Sequence, residues 1–120
     1  MKRLIIAPHV DDDVLGCGGI LDETCHVVYC GLDETGLDNR PTMDDRIEEI
    51  NNVQGITGHS FEILDNLVNR YDEYKLIGQI ENVINTQKPE EVYVCHPSYN
   101  QDHKSVYNAS MIALRPLWWA

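Results

Sequence analysis

Short apolar segments alternate with longer helical patterns along this chain. Residues 3–7, 26–30, 61–64 and 91–95 are β-branched, aromatic or aliphatic segments bounded by turn residues, and they predict four buried strands. Because strands and helices alternate, the connections should be right-handed crossovers and the sheet parallel. We therefore predict an α/β fold, a three-layer α/β/α Rossmann-like sandwich with a mostly parallel sheet of order 3-2-1-4.

Helix signals separate the predicted strands. Thr42 followed by Asp45 resembles a capping box, and apolar residues then recur at helical spacing as far as Gly55. A further pattern, over about residues 72–87, stops before a proline, and the last pattern begins near Asp102. Each of these helices is expected to pack an apolar face against the sheet.

The length and charge of the chain limit its functions. With 120 residues it can bury one core, so we expect a single domain over residues 1–120. A net charge of −11 argues against nucleic acid or an anionic membrane as a partner. No apolar stretch is long enough to predict a membrane span.

The N-terminus and the cysteines indicate the compartment. The apolar run at the start is too short for a signal peptide, so the cytoplasm is the expected location. Cys17, Cys25, Cys30 and Cys95 form no Cys-x-x-Cys pair and lie in or beside apolar segments, which predicts free thiols.

Histidines and carboxylates follow the first and the fourth predicted strands. His9, Asp11 and Asp12 come directly after the first strand, and Asp102 and His103 come after the fourth. In a sheet of order 3-2-1-4 these two strands are neighbours at the topological switch point, where ligands bind beyond the carboxyl ends. The two polar clusters are therefore expected to meet.

The side chains that meet there match a catalytic zinc site. Zinc in such sites takes three His or carboxylate ligands and keeps one position for water, and His9, Asp12 and His103 supply that set. Zn²⁺, or another divalent cation, is therefore the expected cofactor. Asp11 would remain as a general base for the water. Asp102 would orient an imidazole.

Simpler explanations exist for the same residues. The acidic run at 11–13 can cap a first helix, Asp102 can be a plain N-cap, and His103 can be a surface residue at a helix start. Three glycines within residues 16–19 invite a nucleotide-binding interpretation, although their spacing is not G-x-G-x-x-G. The histidine far along the chain favours the metal site over the cap alone.

Several stretches resemble the PIG-L/LmbE-like family of metal-dependent N-deacetylases. Residues 7–13 read APHVDDD, which is similar to the family motif A-H-P-D-D-E with Pro and His exchanged and Asp in place of Glu. Residues 16–19, 46–49 and 96–103 are also similar to the family's pattern. The resemblance implies zinc, a deacetylation mechanism and a substrate that is an N-acetylated amino sugar of the N-acetylglucosamine type, or a conjugate of one.

The resemblance also assigns the site residues. It implies that His9, Asp12 and His103 are zinc ligands and that Asp11 is the base. Many family members have a histidine two residues before the Asp-His pair, whereas this chain has Asn100, which can donate a hydrogen bond but not a proton. We include Asn100 with Asp11 and Asp102 among the candidate catalytic residues.

Candidate substrate contacts come from neighbouring loops. Glu34 lies in the loop after the second strand, which opens towards the site, and Tyr99 lies in the segment before the Asp-His pair. Arg46, on the following helix, can pair with Glu49 or reach a polar ligand. We name Arg46, Glu34 and Tyr99 as the candidates for a small-molecule or glycoconjugate substrate.

Two tryptophans near the C-terminus bear on assembly and on function. Domains of the family that this chain resembles are usually longer, and Trp118 and Trp119 have little chain after them to cover their rings. This suggests a truncated domain, a natural minimal version or a homo-oligomer interface. The short C-terminus and Asn100 also keep open a non-catalytic metal- or sugar-binding module on the same fold. A nucleotide-binding module is the third hypothesis.

Overall fold

Four parallel strands form the sheet in the computed structural model, which describes residues 2–10, 12, 18–34 and 40–115. The strands are β1 (Arg3–Ala7), β2 (Cys25–Tyr29), β3 (Ser60–Ile63) and β4 (Glu91–Val94), in the spatial order β3-β2-β1-β4. All three neighbouring pairs are parallel. The predicted α/β fold and strand order are confirmed, and each predicted strand lies within one residue of its observed bounds.

Three helices connect and cover the strands within the described residues. They are α1 (Met43–Thr57), α2 (Glu73–Gln87) and α3 (Gln101–Ala113), and a short 3-10 turn spans Gly18–Ile20. The capping box predicted at the start of α1 is confirmed, because the Thr42 hydroxyl accepts from the Asp45 amide and the Asp45 carboxylate accepts from the Thr42 amide. Most of the first predicted helix lies outside the described residues.

Helices pack on both faces of the sheet, as the three-layer prediction requires. Leu4 and Ile6 of β1 belong to a buried cluster with α2 and α3. Ile5 and Ala7 belong to a second buried cluster, which includes Ile50 of α1. Because consecutive strand residues point to opposite faces, β1 is buried on both sides. Its carboxyl end is thereby fixed beside those of β2 and β4.

Two further predictions concern cysteines and membranes. Cys25, Cys30 and Cys95 are free thiols, as predicted, whereas Cys17 lies outside the described residues. No helix within the described part of the chain is both long and apolar enough to cross a membrane. The two C-terminal tryptophans also lie outside the described residues, so the predicted homo-oligomer interface remains a prediction.

Leu76 and Ile56 form a matched pair of positions for testing this core. Leu76 in α2 is fully buried, whereas the Ile56 side chain in α1 is 88% exposed. We expect Leu76→Ala to lower the free energy of unfolding by about 2–5 kcal/mol, because it leaves a cavity. Ile56→Ala should change it by about 0.5 kcal/mol or less. Urea denaturation followed by circular dichroism measures both, and equal losses would contradict this core.

Candidate metal centre

His9, Asp12 and His103 come together at the carboxyl edge of the sheet. One ligand atom from each residue lies within 4.8 Å of the other two, and all three side chains are partly accessible. The Asp12 Oδ2 atom is 3.7 Å from His9 Nδ1 and 3.4 Å from His103 Nε2. The structure therefore brings His103 to His9 and Asp12, which lie near the opposite end of the sequence.

The spacing and chemistry of these atoms suit a divalent cation. Nitrogen and oxygen ligands that lie about 2.0–2.2 Å from one tetrahedral zinc ion are about 3.3–3.6 Å from each other. The two separations at Asp12 fall close to that range. Two imidazoles and one carboxylate also form a ligand set that zinc accepts in catalytic sites. The residues present therefore fit the ion.

Asp102 fixes the orientation of the His9 ring. Its Oδ2 atom is 2.7 Å from His9 Nε2, and Asp102 is completely buried. Because a carboxylate oxygen only accepts hydrogen bonds, this contact places a proton on Nε2, and in the neutral imidazole Nδ1 then carries the lone pair. Nδ1 is the His9 atom that faces Asp12. Asp102 therefore contacts an imidazole of the centre, and its orienting role stays a prediction.

Asn100 starts α3 and thereby positions Asp102 and His103. Its side-chain oxygen accepts hydrogen bonds from the backbone amides of Asp102, at 2.9 Å, and His103, at 3.4 Å. The alternative that Asp102 is the N-cap is therefore wrong. Since the carbonyl oxygen of Asn100 is engaged in the cap, its amide NH₂ is the part that can still donate.

Residues 69–71 were not predicted to reach the site. The Asn69 amide donates to Asp102 Oδ2 at 2.5 Å, and the Tyr71 hydroxyl donates to the Pro8 carbonyl at 2.5 Å. The Tyr71 ring is also tilted against the His9 imidazole, with centroids 5.7 Å apart. An irregular segment between β3 and α2 has no periodic pattern that could have revealed these contacts.

A cavity of about 410 Å³ adjoins Asp12 and His103. Side chains of β1 and β4, with those just beyond them, form its largely apolar wall: Ile5, Ile6, Ala7, Pro8, Tyr93, Val94, Cys95 and His96. Burial raises the pKa of the Cys95 thiol to about 11, and the negative charge of Asp12 acts in the same direction. Cys95 is therefore a neutral thiol at physiological pH.

Glu34 and Arg46 form an ion pair close to His9. The Arg46 Nε and Nη2 atoms each lie 3.3 Å from a Glu34 carboxylate oxygen, and Nη1 contacts Glu49 at 3.0 Å. Glu34 is buried, and it lines a small cleft together with His9 and Arg46. Arg46 therefore pairs with Glu49 and also borders the site, so both a helix ion pair and a contact to a polar ligand are compatible with its position.

Comparison with known proteins identifies the family. Residues 4–114 match the family described as "PIG-L: GlcNAc-PI de-N-acetylase". The chain belongs to the PIG-L family. The uncharacterised deacetylase YaiS of Escherichia coli (strain K12) is 32% identical to it, in a match that covers 95% of this chain and 68% of the relative.

Solved structures share the fold of this PIG-L chain. The conserved protein TT1542 from Thermus thermophilus has a TM-score of 0.80 at 21% identity and is matched over 94% of this chain and 55% of its own. The A40926 pseudoaglycone deacetylase Dbv21 has a TM-score of 0.69 at 22% identity, with coverages of 93% and 58%. The PIG-L chain thus spans just over half the length of these structures.

Two predicted site residues of the PIG-L chain remain to be placed. Tyr99 lies in the loop between β4 and α3, and its side chain is fully exposed. Asp11, the predicted base, lies outside the described residues, although its neighbour Asp12 is described. The structure therefore gathers the three predicted ligands with Asp102, and it places Glu34 and Arg46 beside His9.

Glu34 can be compared with an exposed glutamate in a similar pair. Glu34→Gln should lower the free energy of unfolding by about 1–3 kcal/mol, because the mostly buried Arg46 loses charge-assisted hydrogen bonds. Glu81 pairs with Arg115 at 3.0 Å on the surface, so Glu81→Gln should cost about 1 kcal/mol at most. Urea denaturation measures both variants, and a larger loss for Glu81→Gln would contradict this ranking.

Proposed function

We propose that this PIG-L family member is a divalent-metal-dependent N-deacetylase, with zinc as the favoured ion. The observation that carries the proposal is the approach of His9, Asp12 and His103 within 4.8 Å at the carboxyl edge of the sheet. The family description and the named deacetylase relatives support amide hydrolysis as the reaction. We propose an N-acetylated amino sugar, or a conjugate of one, as the substrate.

The proposed roles follow from the donor atoms. His9 through Nδ1, Asp12 through a carboxylate oxygen and His103 through Nε2 would hold the ion. The chemistry that a divalent cation supplies in such a site is polarisation of a carbonyl oxygen and acidification of water. Asp102 would keep the His9 ring in place through the Nε2 contact.

Proton transfer is assigned to Asp11. A carboxylate next to the ligand Asp12 in the sequence can accept the proton of the attacking water and hold it on its own oxygen. Asn100 can donate a hydrogen bond to the developing oxyanion or to the departing amine through its NH₂ group. It cannot protonate that amine, so Asp11 is the residue that we expect to return the proton.

Substrate contacts are proposed for three residues around the centre. Arg46 and Glu34 border the cleft beside His9 and offer charged hydrogen-bonding groups to sugar hydroxyls. Tyr99 offers an exposed ring against which an apolar sugar face can pack. Their positions support a substrate that approaches over the loops after β2 and β4.

A non-catalytic metal- or sugar-binding module is the competing function. It is favoured by Asn100, whose side-chain oxygen serves as the cap of α3 and whose amide cannot transfer a proton. Such a module would bind the ion and the sugar but leave the acetyl group intact. The two functions therefore differ in acetate release.

Acetate release from a panel of N-acetylglucosamine conjugates tests the proposal. We expect turnover that a chelator abolishes and added Zn²⁺ restores. Asp11→Asn should lower kcat by about 10²- to 10⁴-fold with the metal retained, because the general base is lost. Asp12→Asn should lose the metal itself. Asp44→Asn, at an exposed position in the first turn of α1, is the matched control and should change neither quantity.

The contradicting results are equally specific. A folded, metal-loaded protein that binds the conjugates and releases no acetate would support the non-catalytic module instead. Turnover that survives complete removal of metal would refute the metal-dependent mechanism. Elemental analysis of the purified protein accompanies each assay, so that loss of activity is separated from loss of the ion.

A further inference from the structure

Residues 69–71 bind two different parts of the candidate metal centre. The Asn69 amide donates to the Asp102 carboxylate, and the Tyr71 hydroxyl donates to the Pro8 carbonyl, which directly precedes His9. Asn69 has a left-handed backbone with φ of 67°, a conformation that Asn adopts more readily than most residues. The segment therefore contacts both Asp102 and the end of β1.

Tyr71 restrains His9 in two ways. Its hydrogen bond fixes the Pro8 carbonyl and hence the peptide unit through which His9 leaves the strand. Its ring lies against the imidazole, with centroids 5.7 Å apart and an interplanar angle of 51°. Asp102 supplies a separate restraint, because its Oδ2 atom is 2.7 Å from His9 Nε2.

Gly31 leaves space for the Tyr71 ring, and burial keeps the Tyr71 hydroxyl protonated. A Cβ atom on Gly31 would overlap the Tyr71 ring, so the absence of a side chain at Gly31 provides the space that the ring occupies. Burial raises the pKa of the Tyr71 hydroxyl, and the nearby Cys30 and Asp102 act in the same direction. The hydroxyl therefore stays protonated and remains a donor.

We propose that Tyr71 is a positioning residue of the metal centre, which keeps the Nδ1 atom of His9 directed at Asp12 and His103. This inference rests on the proposed function, because it gives Tyr71 a role towards a bound cation. The imidazole is restrained by Asp102 at Nε2, and Tyr71 restrains the backbone and one side of the ring. Loss of an outer partner of a metal ligand typically weakens metal binding about 10- to 100-fold.

A purely structural role for Tyr71 makes a different prediction. The ring also packs against the buried cluster that includes Leu76 and Val106. If packing were its whole contribution, a variant that keeps the ring and lacks only the hydroxyl would bind metal as the wild type does. Metal affinity and stability must therefore be measured separately.

Tyr71→Phe and Tyr74→Phe form the first matched pair. Tyr74 lies three residues later in α2, and its side chain is 86% exposed. Tyr74→Phe therefore removes the same hydroxyl group at a position away from the centre. We expect Tyr71→Phe to weaken Zn²⁺ binding by about 10-fold. Tyr74→Phe should leave the Kd unchanged. Competition with a chromophoric chelator measures the Kd, and the visible absorption of the Co²⁺-loaded protein reports changed ligand geometry.

Gly31→Ala and Gly78→Ala form the second pair and do not alter Tyr71 itself. The Gly31 variant should displace the Tyr71 ring and weaken Zn²⁺ binding in the same way. Gly78 lies in α2 with nothing within 4 Å of an added Cβ, so Gly78→Ala should leave metal binding unchanged. This pair decides the question even if Tyr71→Phe folds poorly.

Imidazole nitrogen resonances of the metal-free protein separate this inference from the proposed function. In the wild type we expect one set of His9 nitrogen resonances with the proton on Nε2, and in Tyr71→Phe a shifted or broadened set, because the less restrained ring moves against Asp102. If the wild type binds no divalent metal, the proposed function fails, and these resonances alone decide the role of Tyr71. Unchanged His9 resonances together with an unchanged Kd in both Tyr71→Phe and Gly31→Ala would overturn the inference.

Discussion

The pairing of β1 with strands on both of its sides is the constraint on which the site depends. Ile6 is in register with Val28 of β2 and with Val94 of β4, and both faces of β1 are buried. A strand held in this way cannot slide without exposing its apolar side chains to water. The residues that follow β1 and β4 must therefore leave the sheet at one edge, where the polar groups gather.

The polar groups stabilise one another once they are gathered. Asp102 is completely buried, and its Oδ2 atom receives hydrogen bonds from His9 and from the Asn69 amide. Its Oδ1 atom has no hydrogen-bond partner among the described residues. A buried carboxylate needs hydrogen-bond donors to compensate for its lost hydration. His9 is such a donor for Asp102, and the same hydrogen bond orients the His9 ring. The arrangement joins the first strand to the last helix by a hydrogen bond as well as by packing.

The sequence predicted the parts of this structure that depend on periodicity and topology. Apolar segments indicated the strands to within one residue, and the predicted strand order placed His9 and His103 at a common edge. The contributions of Asn69 and Tyr71 could not be predicted, because an irregular loop has no repeating pattern and its path is set by tertiary contacts. The sequence placed Asn100 among the candidate catalytic residues. That its side chain caps α3 could be established only from the backbone geometry.

The shared Asp102 oxygen makes Asn69 a natural reporter of the centre. The same atom accepts from the Asn69 amide and from His9 Nε2, so a displacement of the His9 ring leaves the Asn69 amide as the remaining donor to that oxygen. Local opening of the loop before α2 should therefore become rarer when a bound ion holds His9 in place. Hydrogen exchange at this one backbone position would follow the state of the centre without a substrate, a label or a cofactor signal.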